Sequence, residues 1–291
     1  MIDDRTVKGR IFAIVNYLLL TIIGLITVIP FVHVVAGSFT SSAEMAAKKF
    51  VLIPTEWSLA AYQFIFSTNT IFKAMAVSIG ITVVGTAFSM FITALMAYGL
   101  SRRDVDGRSV IMFLVVFTML FHGGLIPTFL VVKELGLIDS YASLILPSAI
   151  SAFNLIILKN FFQNIPDGLE ESARIDGCSD FGILFRIVLP LSMPAIATIS
   201  LFYAVTYWNT YMSAIFYLND SAKWPIQVLL RQIVVLSSGM DYSSDLDSVT
   251  PPPAQSIKMA VIVVATLPIL LVYPFLQKHF AKGAMLGSIK G

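Results

Sequence analysis

The sequence predicts an all-α integral membrane protein with six transmembrane helices, and three observations carry that prediction. Hydrophobic residues make up 57% of the 291 residues against 12% charged, with a mean hydropathy of +0.85, a balance that a soluble core with a polar surface does not supply. Six apolar stretches have the length, about 20 residues, that a helix needs to cross the hydrocarbon layer; they fall at about 11–36, 74–100, 110–132, 141–158, 187–218 and 259–277, and none contains Asp, Glu, Lys or Arg. The basic residues also segregate. A cytoplasmic N-terminus puts twelve of the 19 lysines and arginines inside and seven outside, the asymmetry of cytoplasmic loops. Both termini are then cytoplasmic, and the chain reads as one transmembrane domain over 1–291 in the cytoplasmic membrane.

The first stretch is longer than the apolar part of a signal peptide, and no clear small-x-small cleavage site follows a shorter version of it, so it is expected to be the first span. Residues 37–73 are too long for a tight turn; with Pro54, Trp57 and Tyr62 they suit a partly structured external flap at the headgroup level. In the second span Gly85, Ser89, Thr93 and Ala97 recur every four residues, a stripe that lets another membrane helix approach closely. His122 stands among Gly123, Gly124 and Pro127 in the third span, where it serves either a pore or a freed carbonyl. Pro147 is expected to kink the fourth helix.

The fifth span carries Tyr203, Thr206, Tyr207 and Thr210 on one helical face, with Trp208, Asn209 and Tyr211 beside them. Aromatic rings cover the apolar face of a sugar and hydroxyls or amides match its hydroxyl groups, so these residues are candidates for a substrate pathway. Anchoring at the membrane interface is the competing role. The last external loop, 219–256, holds Trp224, an acidic run of Asp241, Asp245 and Asp247, and Pro251, Pro252 and Pro253. It lacks the glycine and closing glutamate of a calcium loop, and a solvated surface for an external partner is expected. The tail, with Gly283, Gly287, Lys290 and Gly291, is expected to reach a cytoplasmic partner.

Between the fourth and fifth spans lies a polar island, IPDGLEESARIDGCSDFGILFRIVLPLSMP, residues 165–194. Asp167 with Glu170 three residues later has the pattern of a capping box and predicts a helix start. Gly177 ends that helix and Ser179 caps a second one, on which Phe181, Leu184, Phe185 and Val188 fall on a single apolar face. The charge asymmetry places the island in the cytoplasm.

Glu171, Ser172 and Ala173, then three residues, Gly177, nine residues, and Ile187, Val188, Leu189 and Pro190 resemble the EAA loop of the permease subunits of ATP-binding-cassette importers, with Ser172 where alanine is usual. GSFTSSAEM near the start and KGAMLGSIKG at the end are similar to the carbohydrate branch. GGLIPTFLVVKELGLIDSYASLILP and LFYAVTYWNTYMSAIFYLND are similar to its polysaccharide-type subgroup, the LplC- and YtcP-like permeases. The resemblance covers nearly the whole chain. It implies a type I importer permease fold with a cytoplasmic coupling helix in the loop 165–190, and ATPase-coupling roles for Glu170, Glu171, Ser172, Ala173, Asp176, Gly177, Phe181, Phe185 and Pro190. It further implies a second permease subunit, an ATP-binding-cassette ATPase dimer that uses the ATP and Mg, an external substrate-binding protein, and an oligosaccharide substrate. In that subgroup some systems import acidic pectin- or alginate-derived chains.

Other classes fit less well. No G-x-x-x-x-G-K-[ST] phosphate loop occurs, so the chain is expected to be neither motor nor enzyme and to carry no cofactor of its own. A proton- or sodium-coupled carrier would place ionisable groups at membrane depth. An intramembrane enzyme would need a nucleophile with its base, or metal ligands; Cys178 is the single cysteine, and His33, His122 and His279 share no ligand spacing. A purely structural membrane subunit would not need the docking spacing, and a net charge of +2 gives nucleic acid no basic stripe. An importer of another small solute remains the near alternative.

Overall fold

In the computed structural model, residues 6–48, 50–67, 69–236 and 254–287 are described, with side chains of the last helix described to residue 272. The described residues are nearly all helical, with one antiparallel bridge between Thr40 and Trp57. Three helices are long and apolar enough to cross a membrane, and three bent helix pairs bring the possible spans to six. The chain divides into two compact units, Met1–Ile71 with Leu230–Leu267, and Phe72–Leu229 with Pro268–Gly291.

In the first unit α1 (Val7–Ser38) starts at Thr6, whose hydroxyl accepts the Gly9 N–H at 3.1 Å. It leads into a flap with two short helices, α2 (Ser42–Ala47) and α3 (Ala60–Phe66). A buried carboxylate organises the flap: Glu44 accepts the N–H groups of Thr55 at 3.0 Å and Glu56 at 2.9 Å and pairs with Lys48 at 2.8 Å. The Lys48 ammonium, with those donors, lowers the Glu44 pKa to about 2 from an ordinary 4.5, because each bond favours the charged form. The flap is clasped to α1 by His33, which stacks on Phe50 at 4.3 Å with Nδ1 2.8 Å from the Val51 carbonyl oxygen, and by Tyr62, whose hydroxyl lies 2.8 Å from Ser38 Oγ. Ala36, Met45, Val51 and Met259 form a small apolar core.

The second unit is built on α4 (Thr70–Ser101). The stripe expected there does receive a helix of this same chain. The Tyr207 and Tyr203 hydroxyls lie 2.7 Å from Ser89 Oγ and Thr93 Oγ1, and a methyl group on Gly85 would sit 2.9 Å from the Tyr207 ring. Ser78 Oγ accepts the Ile226 N–H at 2.8 Å. The expected third span is not one straight helix: α5 (Arg108–Leu120) and α6 (Leu125–Glu134) meet at 119° across Phe121–Gly124. Gly124 adopts φ +88°, a left-handed conformation that favours glycine and stops helix propagation. Pro147 lies in a 3₁₀ turn (Leu146–Ser148) between α7 (Ala142–Ile145) and α8 (Ala152–Gln163), with a 54° bend.

The polar island forms α9 (Asp167–Ile175) and α10 (Asp180–Ile183), the latter continuing through a π turn (Leu184–Val188) into α11 (Leu189–Leu191). An 86° bend at Ser192 then starts α12 (Met193–Trp208), so the expected fifth span 187–218 is not one straight helix. After it come α13 (Met212–Tyr217) and α14 (Ile226–Leu236), and the chain closes with α15 (Ala254–Gly287). Asp139, at φ +61°, ties two loops: its carboxylate accepts the Asn219 and Asp220 N–H groups at 3.1 Å and pairs with Lys223 at 2.6 Å. Asp241, Asp245, Asp247, Pro251–Pro253, Lys290 and Gly291 lie outside the described residues.

Candidate functional site

The island folds as two short helices joined by a tight turn, α9 and α10. α9 ends in a Schellman turn: Gly177 at φ +80° donates its N–H to the Arg174 carbonyl at 2.9 Å, and Cys178 donates to Ala173 at 2.9 Å. Ser179 caps α10 by accepting the Gly182 N–H at 3.3 Å, and Arg174 pairs with Asp180 at 3.1 Å between the two helices. A methyl group on Gly182 would lie 2.6 Å from Cys178 Sγ, so the thiol sits against a residue that must stay small.

The start of α9 corrects the expectation from sequence. Pro166 is the cap residue and no side chain caps the helix; Asp167 is its first residue. A capping box needs an N–H on the cap residue for the later glutamate to accept, and proline has none. Glu170 pairs instead with the Arg102 guanidinium, and both side chains are largely buried, at 16% and 15% exposure. The same guanidinium nitrogen donates to the Tyr98 hydroxyl at 3.0 Å, and its carbon lies 5.6 Å from the Tyr98 ring centroid. Gln163 donates to the Ser101 carbonyl at 3.3 Å, so α8 and α9 both hold the end of α4.

The second helix also differs. Ile183, Leu184 and Val188 are buried, whereas Phe181 is 68% and Phe185 47% exposed. A four-residue apolar stripe assumes continuous α geometry; the π turn at Leu184–Val188 changes the register and separates the two phenylalanines from their inward neighbours. Glu171, Ser172, Asp176 and Pro190 are exposed with them, and Ala173 is half-buried. Two residues passed over in the sequence belong to this surface: Leu169, and Ile175 at 86% exposure. The available signal was an isoleucine in a polar helix directly ahead of its Asp-Gly ending.

The aromatic cluster of the fifth span divides in two. Tyr203, Tyr207 and Trp208 are buried. The Tyr203 hydroxyl, besides its bond with Thr93, accepts the Ser151 N–H at 3.0 Å, and Tyr207 donates to the Ile145 carbonyl at 3.3 Å. These hydroxyls hold α4, α7, the start of α8 and α12 together. Thr206 and Asn209 are exposed and bond back to their own helix, at Phe202 and Val205; Thr210 and Tyr211 are half-buried. Thr206 and Tyr203 line a cleft of about 420 Å³ with Ser148, Ser151, Phe153, Asn154 and Phe202. Asn154 is only 5% exposed, Ile150 lines the cleft too, and the Phe153 and Phe202 rings on it are 6.4 Å apart. Carboxamide, hydroxyls and two ring faces in one hollow suit a ligand with alternating apolar C–H faces and hydroxyl groups. The lining carries no charge.

Residues 107–285 match the family described as binding-protein-dependent transport system inner membrane component. The polygalacturonan/rhamnogalacturonan transport system permease protein YtcP of Bacillus subtilis (strain 168) is 70% identical over 98% of this chain and 100% of its own. Protein LplC of the same organism is 56% identical over 99% of this chain and 97% of its own. A chain in the crystal structure of a bacterial ABC transporter involved in the import of the acidic polysaccharide alginate superposes with a TM-score of 0.88 at 33% identity, covering 94% of this chain and 98% of that one.

Proposed function

The chain belongs to the family of binding-protein-dependent transport system inner membrane components, and on that premise we propose that it is the permease subunit through which an ATP-driven importer moves acidic oligosaccharides of the pectin type. The substrate class rests on the similarity to a polygalacturonan/rhamnogalacturonan permease and to an alginate importer. Its proposed partners are a second permease subunit, an ATPase dimer on the cytoplasmic side and an external substrate-binding protein. ATP and its Mg belong to the ATPase, since this sequence has no phosphate loop.

The observation that carries the reading is the island. Glu171, Ile175, Phe181 and Phe185 stand exposed on a corner whose turn, cap and ion pair are all internally satisfied, so a push on it is passed on as a rigid movement. α8 enters it and α12 leaves it, and those two helices line the Asn154 cleft. Movement of the corner would therefore reopen or close that cleft to one side of the membrane. With no charge in the cleft, selection for acidic chains falls to the binding protein, and the cleft reads rings and hydroxyls.

The test is retention of the ATPase in a pull-down of the assembled importer, together with uptake of radiolabelled trigalacturonate. Phe181→Ala is expected to weaken retention by roughly tenfold, the effect of about 1.4 kcal/mol lost from an aromatic anchor. Full retention with full uptake would remove the docking role from the island.

A further inference from the structure

α4 has no covalent link to the docking corner. The corner is continuous with α8 through 164–166 and with α12 through α11, so a movement of the corner reaches those two helices along the chain itself. Yet α4 must follow, because its Ser89 and Thr93 hydroxyls hold Tyr207 and Tyr203 of α12 at 2.7 Å and Gly85 lies beneath the Tyr207 ring. Where α4 meets α9, the contact is the Arg102 guanidinium. It joins Glu170 of α9 to the Tyr98 hydroxyl and ring of α4 and lies 3.5 Å from Asp104. Its backbone is fixed as well, the Arg102 carbonyl accepting from Arg108 Nη1 at 3.1 Å. A planar, forked cation held on several sides transmits direction as well as charge.

We propose that Arg102 is the positioning residue through which displacement of the docking corner reaches α4, with Glu170 as its strut on α9. This rests on the docking role of the corner. Two adjacent glutamates then have opposite assignments: Glu171 faces outward to the ATPase, and Glu170 faces inward and binds the corner to the membrane helices. Breaking the strut leaves the ATPase docked and hydrolysing while the Tyr98–Ser101 end of α4, beyond its tyrosine bonds to α12, lags behind the corner, which separates hydrolysis from transport.

The experiment uses the assembled importer in proteoliposomes and reads ATP hydrolysed, radiolabelled trigalacturonate taken up and ATPase retained. Glu170→Gln, which keeps the side-chain volume, and Arg102→Gln are each expected to keep the ATPase and lower uptake per ATP by about tenfold, equivalent to about 1.4 kcal/mol of coupling. The exchange Arg102→Glu with Glu170→Arg is expected to restore the ratio to within about threefold. An unchanged ratio in Glu170→Gln with the ATPase retained overturns the strut while leaving docking intact; loss of docking is read separately from Phe181→Ala. Failure of the exchange to restore a ratio that both single variants lower also overturns it. If a substituted complex does not assemble, spin labels at Arg103→Cys and Gly168→Cys in a Cys178→Ala background decide the matter. The two labels are expected to keep their separation between nucleotide-free and ATP-bound states, and a change of a helical turn, about 5.4 Å, overturns the proposal.

Discussion

α1 and α4 are each 32 residues long and apolar beyond a basic first turn or two, Lys8 and Arg10 in one and Lys73 in the other, yet they live in different surroundings. The most hydrophobic window of α1 has no buried residue, whereas 28% of that of α4 is buried. Hydropathy marks both as able to span a membrane; what differs is how the small and hydroxyl residues along their length are partnered. α4 presents Ser78, Gly85, Ser89 and Thr93 to other helices, each meeting a named partner, while in α1 such contacts are confined to its C-terminal end, at Gly37 and Ser38, and a methyl group on Gly24 would meet nothing within 4 Å. Apolarity sends a helix into a bilayer, and close approach with interhelical hydrogen bonds decides where it meets protein.

The sharpest way to break this contrast is a matched pair of substitutions. Gly85→Leu drives a side chain into the Tyr207 ring and is expected to cost about 1–3 kcal/mol by overpacking, read as a lower melting temperature of the solubilised importer. Gly24→Leu is expected to leave it unchanged. If Gly24→Leu melts as early as Gly85→Leu, α1 is covered by another subunit, and the contrast becomes one between internal and external protein contacts.

A smaller effect is expected from removing hydroxyls alone. Tyr203→Phe and Tyr207→Phe each leave a bonded group without its partner, at about 0.6–1.7 kcal/mol in a membrane interior, with Tyr17→Phe, 71% exposed on α1, as the silent control. Equal melting temperatures in all three would return the tyrosines to simple packing.

The smallest effect concerns the flap that follows α1. Glu44 has its carboxyl lowered to about 2 from 4.5, so its contribution is complete above pH 4.5 and is lost as the pH falls towards 2. Limited proteolysis of 48–56 is expected to stay slow down to that window, and Glu44→Gln is expected to be cleaved faster already at neutral pH. Equal cleavage would assign the flap's order to His33 and Tyr62 alone.

Much of the α4 side of this contrast was legible in the sequence. The stripe at four-residue spacing, the glycine that ends α9, the Ser179 cap and the kink at Pro147 are local features, written within a few neighbouring residues. What was not legible depended on distant partners. The sequence offered Tyr203 and Tyr207 for a sugar pathway, with no sign that their hydroxyls meet Thr93 and Ser89, more than a hundred positions away. Glu170 read as a cap because Arg102 lies 68 residues earlier in the chain. The 119° turn between α5 and α6 was signalled by Gly123, Gly124 and Pro127, though its angle was not. The exposure of Phe181 followed from a π turn for which the pattern Phe181, Leu184, Phe185, Val188 gives no local sign.

That π turn sets a phase between two halves of one rod. It holds one residue more per turn than the α geometry on either side, and each residue of an α-helix corresponds to about 100° of rotation. Deleting Leu184 or Val188, the two buried residues of Leu184–Val188, would therefore swing Phe181 and Ser179 around the axis relative to Pro190 without removing a residue that faces outward. The docking surface and the membrane helix could each be perfect and still face the wrong way, so within these five residues chain length is under tighter control than chemistry.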